Sequence, residues 1–216
     1  MKRSVIPIVF ILLWLGAGAQ SRWLFELHEA VVTNVPLPLT IHQKGYPDIQ
    51  LTGACYHSQP FTLPLYYDGR ISRWDNDRSW EIEFTHHKLY LQNPPQEVQE
   101  FNVSHGFNML MVNRGFQRQT FRYRAGAGVV IAHPESEVRG LVFPNSRNNN
   151  DLKYYLSGPA IHASINKPIY FGPRLFLNAE ASTTLAYASV KVAQGHADVW
   201  NIAFHLLLGV GVELKK

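Results

Sequence analysis

The residues with most capacity for chemistry are histidines and acids gathered at a few points along the chain. His86, His87 and Lys88 stand together. His105 follows nineteen residues after His86, and His133 precedes Glu135, Glu137 and Arg139. Imidazole and carboxylate form a borderline donor set that suits a divalent ion of iron, manganese, zinc or copper with an open position. His86, His87, His105, His133 and Glu135 are therefore candidate metal ligands. Lys88 and Arg139 are candidate substrate-binding cations for phosphate or carboxylate groups. No fixed short spacing such as HxxxH ties the set together, so only the fold can assemble it. Within one strand His86 and His87 must point to opposite faces, so only one of them can join a common site.

A second constellation is His162, Ser164 and Glu180. His and Ser two apart share a strand face, and a carboxylate on the next strand could orient the imidazole, which is the logic of a serine hydrolase. The alternative catalytic set is thus His162, Ser164 and Glu180. There is no GxSxG turn to support it.

The elements that must position these residues alternate apolar and polar with period two. The alternation predicts strands at about 23–33, 63–74, 79–91, 100–113, 119–132, 152–165, 173–188 and 197–213. In 119–132, Arg122 and Arg124 oppose Phe121 and Tyr123; in 197–213, Asn201 and His205 oppose Trp200 and Phe204. Short gaps at 75–78, 114–118 and 166–172 alternate with connections at 34–62, 92–99 and 134–151 that tend to be longer, with 193–196 as an exception. The segment 47–57 could add further strand structure, and 34–62 is long enough to fold over the mouth as a lid. The expected fold is all-β: a small antiparallel up-and-down transmembrane β-barrel of about eight strands, its apolar face to lipid and its polar face inward. At that size side chains fill the lumen, so no pore is expected. Asp68, Arg70, Glu81, Glu83, Arg122, Arg124 and Glu180 should form an internal ion-pair network, because an unpaired charge there would cost several kcal/mol.

Lys2 and Arg3, the apolar run Val5–Leu15 and the small residues Ala17-Gly18-Ala19 read as a cleavable secretion signal at 1–19, which leaves a barrel domain at 20–216. Without Lys2 and Arg3 the chain carries 18 basic and 16 acidic side chains. No basic run interleaved with aromatics appears, so no nucleic-acid partner is expected. Cys55 is alone, which leaves no internal disulfide. The predicted location is the bacterial outer membrane, as a monomer. The histidine cluster would then lie at the outer leaflet, among lipopolysaccharide head groups. His105 and His133 share parity with the apolar faces of their strands and would point toward those head groups.

Four segments carry a family resemblance. They are Pro64-Leu65-Tyr66-Tyr67-Asp68-Gly69-Arg70 through Trp74; Glu83-Phe84-Thr85-His86-His87-Lys88-Leu89-Tyr90; Ser104-His105-Gly106-Phe107-Asn108-Met109-Leu110; and Gly126-Ala127-Gly128-Val129 through His133-Pro134-Glu135. Together they resemble outer-membrane barrels of the group that includes the rhizobial lipid A oxidases. The resemblance spans roughly residues 45–190, with one local departure in the order His133-Pro134. It implies oxygen-dependent oxidation of the proximal glucosamine of lipid A to an aminogluconate unit, aided by a divalent metal ion. It also implies lipid A as the membrane-lipid partner, His86 or His87 with His105, His133 and Glu135 as ligands, and Lys88 with Arg139 on phosphates. The His162-x-Ser164 pair with Glu180 resembles the outer-membrane lipid A deacylases, with Ile165 where that family has Asn. Two further readings therefore stay open: a deacylase-like hydrolase, and a non-catalytic barrel with a structural or ligand-binding role.

Overall fold

The computed structural model describes residues 21–144 and 153–215. The signal expected at 1–19 and the run Asn145–Asn150 lie outside the described residues. Fifteen strands are described: β1 Ser21–Val35, β2 Leu37–Gln43, β3 Ile49–Ala54, β4 Tyr56–His57, β5 Tyr67–Asp75, β6 Arg78–His86, β7 Leu89–Leu91, β8 Val98–Val103, β9 Phe107–Arg118, β10 Phe121–Ala132, β11 Glu135–Val138, β12 Leu141–Val142, β13 Tyr155–Tyr170, β14 Leu175–Val192 and β15 Gly195–Lys215. Eight of them, in the order β1-β5-β6-β9-β10-β13-β14-β15, form an antiparallel sheet that closes by pairing β15 back onto β1. The expected barrel and its strand number are thus observed.

Tight turns join the strands at one end. Asn76 and Gln119 adopt φ of 58° and 56° there, the left-handed region that closes a hairpin. The longer connections lie at the other end, which marks it as the outer one. The alternation misjudged that end in three places. The stretch expected as one strand at 79–91 leaves the barrel after His86. The stretch expected at 100–113 re-enters it only at Phe107. Their outer pieces, β7 and β8, join β4, β11 and β12 in a separate five-stranded sheet. Period two cannot register such a switch, because both sheets alternate alike. The strand expected from 63 starts at Tyr67, after a turn whose Tyr66 amide donates to the Pro60 carbonyl. The segment 34–62 is not a lid across the mouth: β2 pairs with the first residues of β15 and with β3, continuing the barrel wall outward.

That outer extension encloses an apolar core. Leu39 and Ile41 from β2, Leu89 and Phe101 from the small sheet, and Val190 and Val199 from β14 and β15 are all buried within it. Below it, the lumen holds the expected charges. Arg70 donates to Glu83 at 2.7 Å and, through both terminal nitrogens, to Glu180 at 2.8 Å. Arg124 donates to Glu81 at 2.6 Å and reaches Glu180 and Glu26. Arg122 is not part of this network. It lies over Trp74 and Phe176 and donates to the Tyr170 hydroxyl, closing the inner end with a cation–π layer. Glu26 and His28, absent from the expected set, belong to it, with His28 on Asp68 at 3.0 Å.

The outside of the barrel is apolar. Leu27, Val31, Ile82, Leu206 and Leu208 are each more than half exposed, which in water would be a large uncompensated cost and in a bilayer is the required surface. Aromatic residues rim this belt. Trp23, Trp80, Phe116, Phe121 and Phe171 ring the turn end. Tyr67 stacked on Phe84 and Tyr187 against Trp200 mark the outer end. These are the interfacial girdles of a membrane barrel.

Candidate functional site

Beyond the outer girdle, the ends of β6, β9, β10 and β13 meet where the chain changes sheets. The backbone itself draws them together. Phe107 N–H donates to the His87 carbonyl at 2.7 Å, and His133 N–H to the Gly106 carbonyl at 3.0 Å. Gly106 has φ of 134°, and a Cβ there would fall 2.3 Å from the Asn108 amide. Glycine is what allows the chain to turn out of the wall at this point.

His105, His133 and Glu135 converge at that bend, each offering a ligand atom, and the three atoms lie within 4.8 Å of one another. His105 Nδ1 lies 2.5 Å from Glu135 Oε1, and the two imidazole rings meet edge-on with centroids 5.2 Å apart. Ser104 Oγ donates to the other carboxylate oxygen. His133 Nδ1–H donates to the Lys153 carbonyl at 3.0 Å. That bond fixes the tautomer and leaves Nε2 with a free lone pair for a ligand, the usual arrangement at a metal-binding histidine. Two imidazoles and one carboxylate with positions left open form the donor set of mononuclear iron(II) oxygen chemistry, and the set fits zinc equally well. Tyr154 covers one side. Its ring stands 5.4 Å from that of His133 and its hydroxyl donates to the His105 carbonyl. Burial pushes the Tyr154 and Tyr90 phenols above their usual range, and the Glu135 carboxylate adds to the shift of Tyr90.

The outward side of the wall carries the edge of this cluster. Glu135 is half-buried and alternates along β11 with the buried Ser136 and Val138, His105 is half-buried beside it, and His133 lies buried beneath them. His86 belongs to the same side. It stacks under the exposed Tyr67 at 5.2 Å, and its Nδ1 pairs with Asn108 Oδ1 at 2.7 Å. A carbonyl oxygen can only accept, so Nδ1 carries the proton and Nε2 is the acceptor. Among the described residues His86 Nε2 is buried with no hydrogen-bond partner. His87 points the other way, into the interior between Tyr66, Phe107 and His205, with Nε2 on Asn34. His87 is therefore separated from the other candidate ligands.

The two candidate phosphate-binding cations are engaged within the protein. Lys88 is buried, donates to the Thr62 carbonyl at 2.6 Å, and has its pKa pushed down by burial. Arg139 donates to Gln43 and to the Pro47 carbonyl, and lies over the Tyr46 ring. Each ties an outer connection to its neighbour. The hydrolase constellation is not assembled either. Glu180 is bound to Arg70 and Arg124, His162 lies by Asn113 and Glu83, and Ser164 Oγ is buried with no partner among the described residues. All three sit inside a packed lumen that a lipid cannot enter.

No family model matches the sequence, and no curated protein sequence matches it. Solved structures do resemble it. The outer membrane protein AlkL, determined in DMPC lipid bilayers, aligns over 100% of this chain and 98% of its own, with a TM-score of 0.51 and 13% identity. Neisserial surface protein A aligns over 90% of this chain and 98% of its own (TM-score 0.40, 12% identity), and outer membrane protein W of E. coli over 92% and 100% (TM-score 0.40, 14% identity). The chain is a small outer-membrane β-barrel. The likeness to AlkL carries the fold, and the apolar belt between two aromatic rims gives the same answer from the residues alone. Nothing in the spacing pointed to Tyr154 or the Lys153 carbonyl, and Ser104 entered only as part of a resemblance segment, because their roles arise only where the sheets part.

Proposed function

We propose that this barrel is a metal-dependent enzyme of the outer leaflet that oxidises the sugar of lipid A. One observation carries the reading: a two-histidine, one-carboxylate set stands on the outward side of the wall, just beyond the aromatic rim, where lipid head groups lie. A soluble substrate would be served by a mouth or lumen, and here both are packed. A lipid meets the outward face directly.

His105, His133 and Glu135 would hold the ion, with Ser104 orienting the carboxylate and the Lys153 carbonyl orienting His133. A redox-active divalent ion, once bound, supplies Lewis acidity and one-electron capacity. In the overall change the anomeric carbon loses hydrogen and becomes a lactone carbonyl. Molecular oxygen takes up two electrons and two protons and leaves as hydrogen peroxide. Water then opens the lactone to the aminogluconate. The family resemblance stated above supports the substrate, and the geometry supports the location and the donor set.

The test uses the purified protein in vesicles containing lipid A with a free anomeric hydroxyl, loaded with iron(II) and supplied with oxygen. Oxidised lipid and peroxide should form in equal amounts, and Glu135→Gln should abolish both. A folded, iron-loaded protein that yields neither product would overturn the proposal.

A further inference from the structure

A second cluster of the same composition stands elsewhere on the outer rim. Strand β2 runs beside the start of β15 with His42 opposite His196, and Asp198 shares the face of His196. The two imidazole rings lie 4.8 Å apart. His42 Nε2 is 3.3 Å from Asp198 Oδ2, and His196 Nε2 is 3.9 Å from Asp198 Oδ1. One ligand atom from each residue falls within 4.8 Å of the others.

The groups behind these three are placed as a metal site needs them. His42 Nδ1 pairs with Asp48 at 2.8 Å, which leaves Nε2 turned to the cluster, a carboxylate–histidine arrangement that orients an imidazole for a metal. The Tyr187 hydroxyl donates to Asp198 Oδ1 at 2.8 Å and holds that carboxylate. The scaffold is stiff. Lys44 N–H donates to the Gln194 carbonyl and Gln43 Nε2 to the Ala193 carbonyl, so the β2–β3 and β14–β15 hairpins are tied at their tips. A Cβ at Gly195 would fall 1.8 Å from the His42 carbonyl, so the strands approach more closely there than any side chain allows. Lys191, opposite His196 on β14, could have opposed a cation, but its ammonium lies over the Tyr155 ring. One carboxylate, Asp198, and two imidazoles therefore face one accessible point, with Asp48 behind His42.

We propose that His42, His196 and Asp198 bind one divalent ion of the zinc class, stapling the two outer hairpins. The site is separate from the His105 cluster and does not depend on the lipid A reading. Nothing ties the ion to catalysis; it would hold the register of β2 on β15 at head-group level, two residues outward of Trp200.

The experiment titrates cobalt(II), the visible-absorbing stand-in for zinc, into the refolded chain in detergent. His133→Ala is made first, to remove the other cluster. That chain should bind one equivalent and develop ligand-field bands. Adding His196→Ala should weaken binding by about 100-fold or more, and Asp48→Asn should weaken it by about 10-fold to 100-fold through His42. Retention of the compact electrophoretic band shows that each variant is folded. Should the His196→Ala chain fail to fold, the near-isosteric Asp198→Asn replaces it with the same expected loss. A His133→Ala chain that binds no cobalt, or a His196→Ala addition that leaves affinity unchanged, would overturn the proposal. Failure of lipid A oxidation would leave these results untouched.

Discussion

Arg70 is the residue on which the lumen turns. Its guanidinium lies within 3.8 Å of five carboxylates, those of Glu26, Asp68, Glu81, Glu83 and Glu180. Acids outnumber arginines around it, so losing the two kinds of partner has unequal cost. Arg70→Met should destabilise the barrel by about 3–5 kcal/mol, since it leaves buried carboxylates uncompensated. Glu83→Gln keeps an acceptor for Arg70 or Asn113 and should cost only about 1 kcal/mol. Guanidinium unfolding in lipid vesicles measures both. Ser164 gives the opposite case. Its hydroxyl is buried without a partner among the described residues, so Ser164→Ala should leave stability and the acyl chains of lipid A unchanged. Mass spectra showing loss of an acyl chain with wild-type protein, but not with that variant, would restore the hydrolase. The sequence showed most of the ion-pair network through parity alone. It missed that Arg122 stacks on Trp74 and Phe176, because parity gives a side chain's face and not its depth.

At the scale of elements, the bend at Ser104–Gly106 creates the candidate site. Strand periodicity recovered all eight barrel strands, because each has one face in lipid and one in a polar lumen, although the strand expected at 100–113 runs over Phe107–Arg118. It failed where β6 ends and β9 begins, because the chain passes to another sheet without breaking its alternation. His105, His133 and Glu135 were legible as residue types near strand ends that had to be neighbours. That only one of His86 and His87 could join was read from strand alternation; the pairing of Ser104 with Glu135, the choice of His87 as the one withdrawn, and the withdrawal of Lys88 could not be. Gly106→Ala tests the bend, since φ of 134° and the nearby Asn108 amide both resist a side chain. The barrel should still fold, while metal affinity at His105, His133 and Glu135 should drop by about 10-fold or more as the ligands move apart. Unchanged affinity in a folded Gly106→Ala chain would show that the bend does not set the site.

For the whole molecule, two plugs of different chemistry decide what the barrel cannot do. The outer half is filled by the Leu39–Phe101–Val199 core, and the inner half by the arginine–carboxylate network above the Arg122–Trp74 layer. No continuous water path is expected at eight strands. In a planar bilayer the folded protein should therefore give no stepwise conductance, and steady open channels would contradict the packing. With its interior closed, the surface left for chemistry is the outward rim, where the His105–His133–Glu135 set stands at head-group level. The most direct measurement is the lipid A mass spectrum of bacterial membranes that contain the wild-type protein or the His133→Ala variant, both shown to be folded. The account predicts a gain of one oxygen atom on the sugar backbone with the wild type and none with the variant. Identical spectra would contradict it.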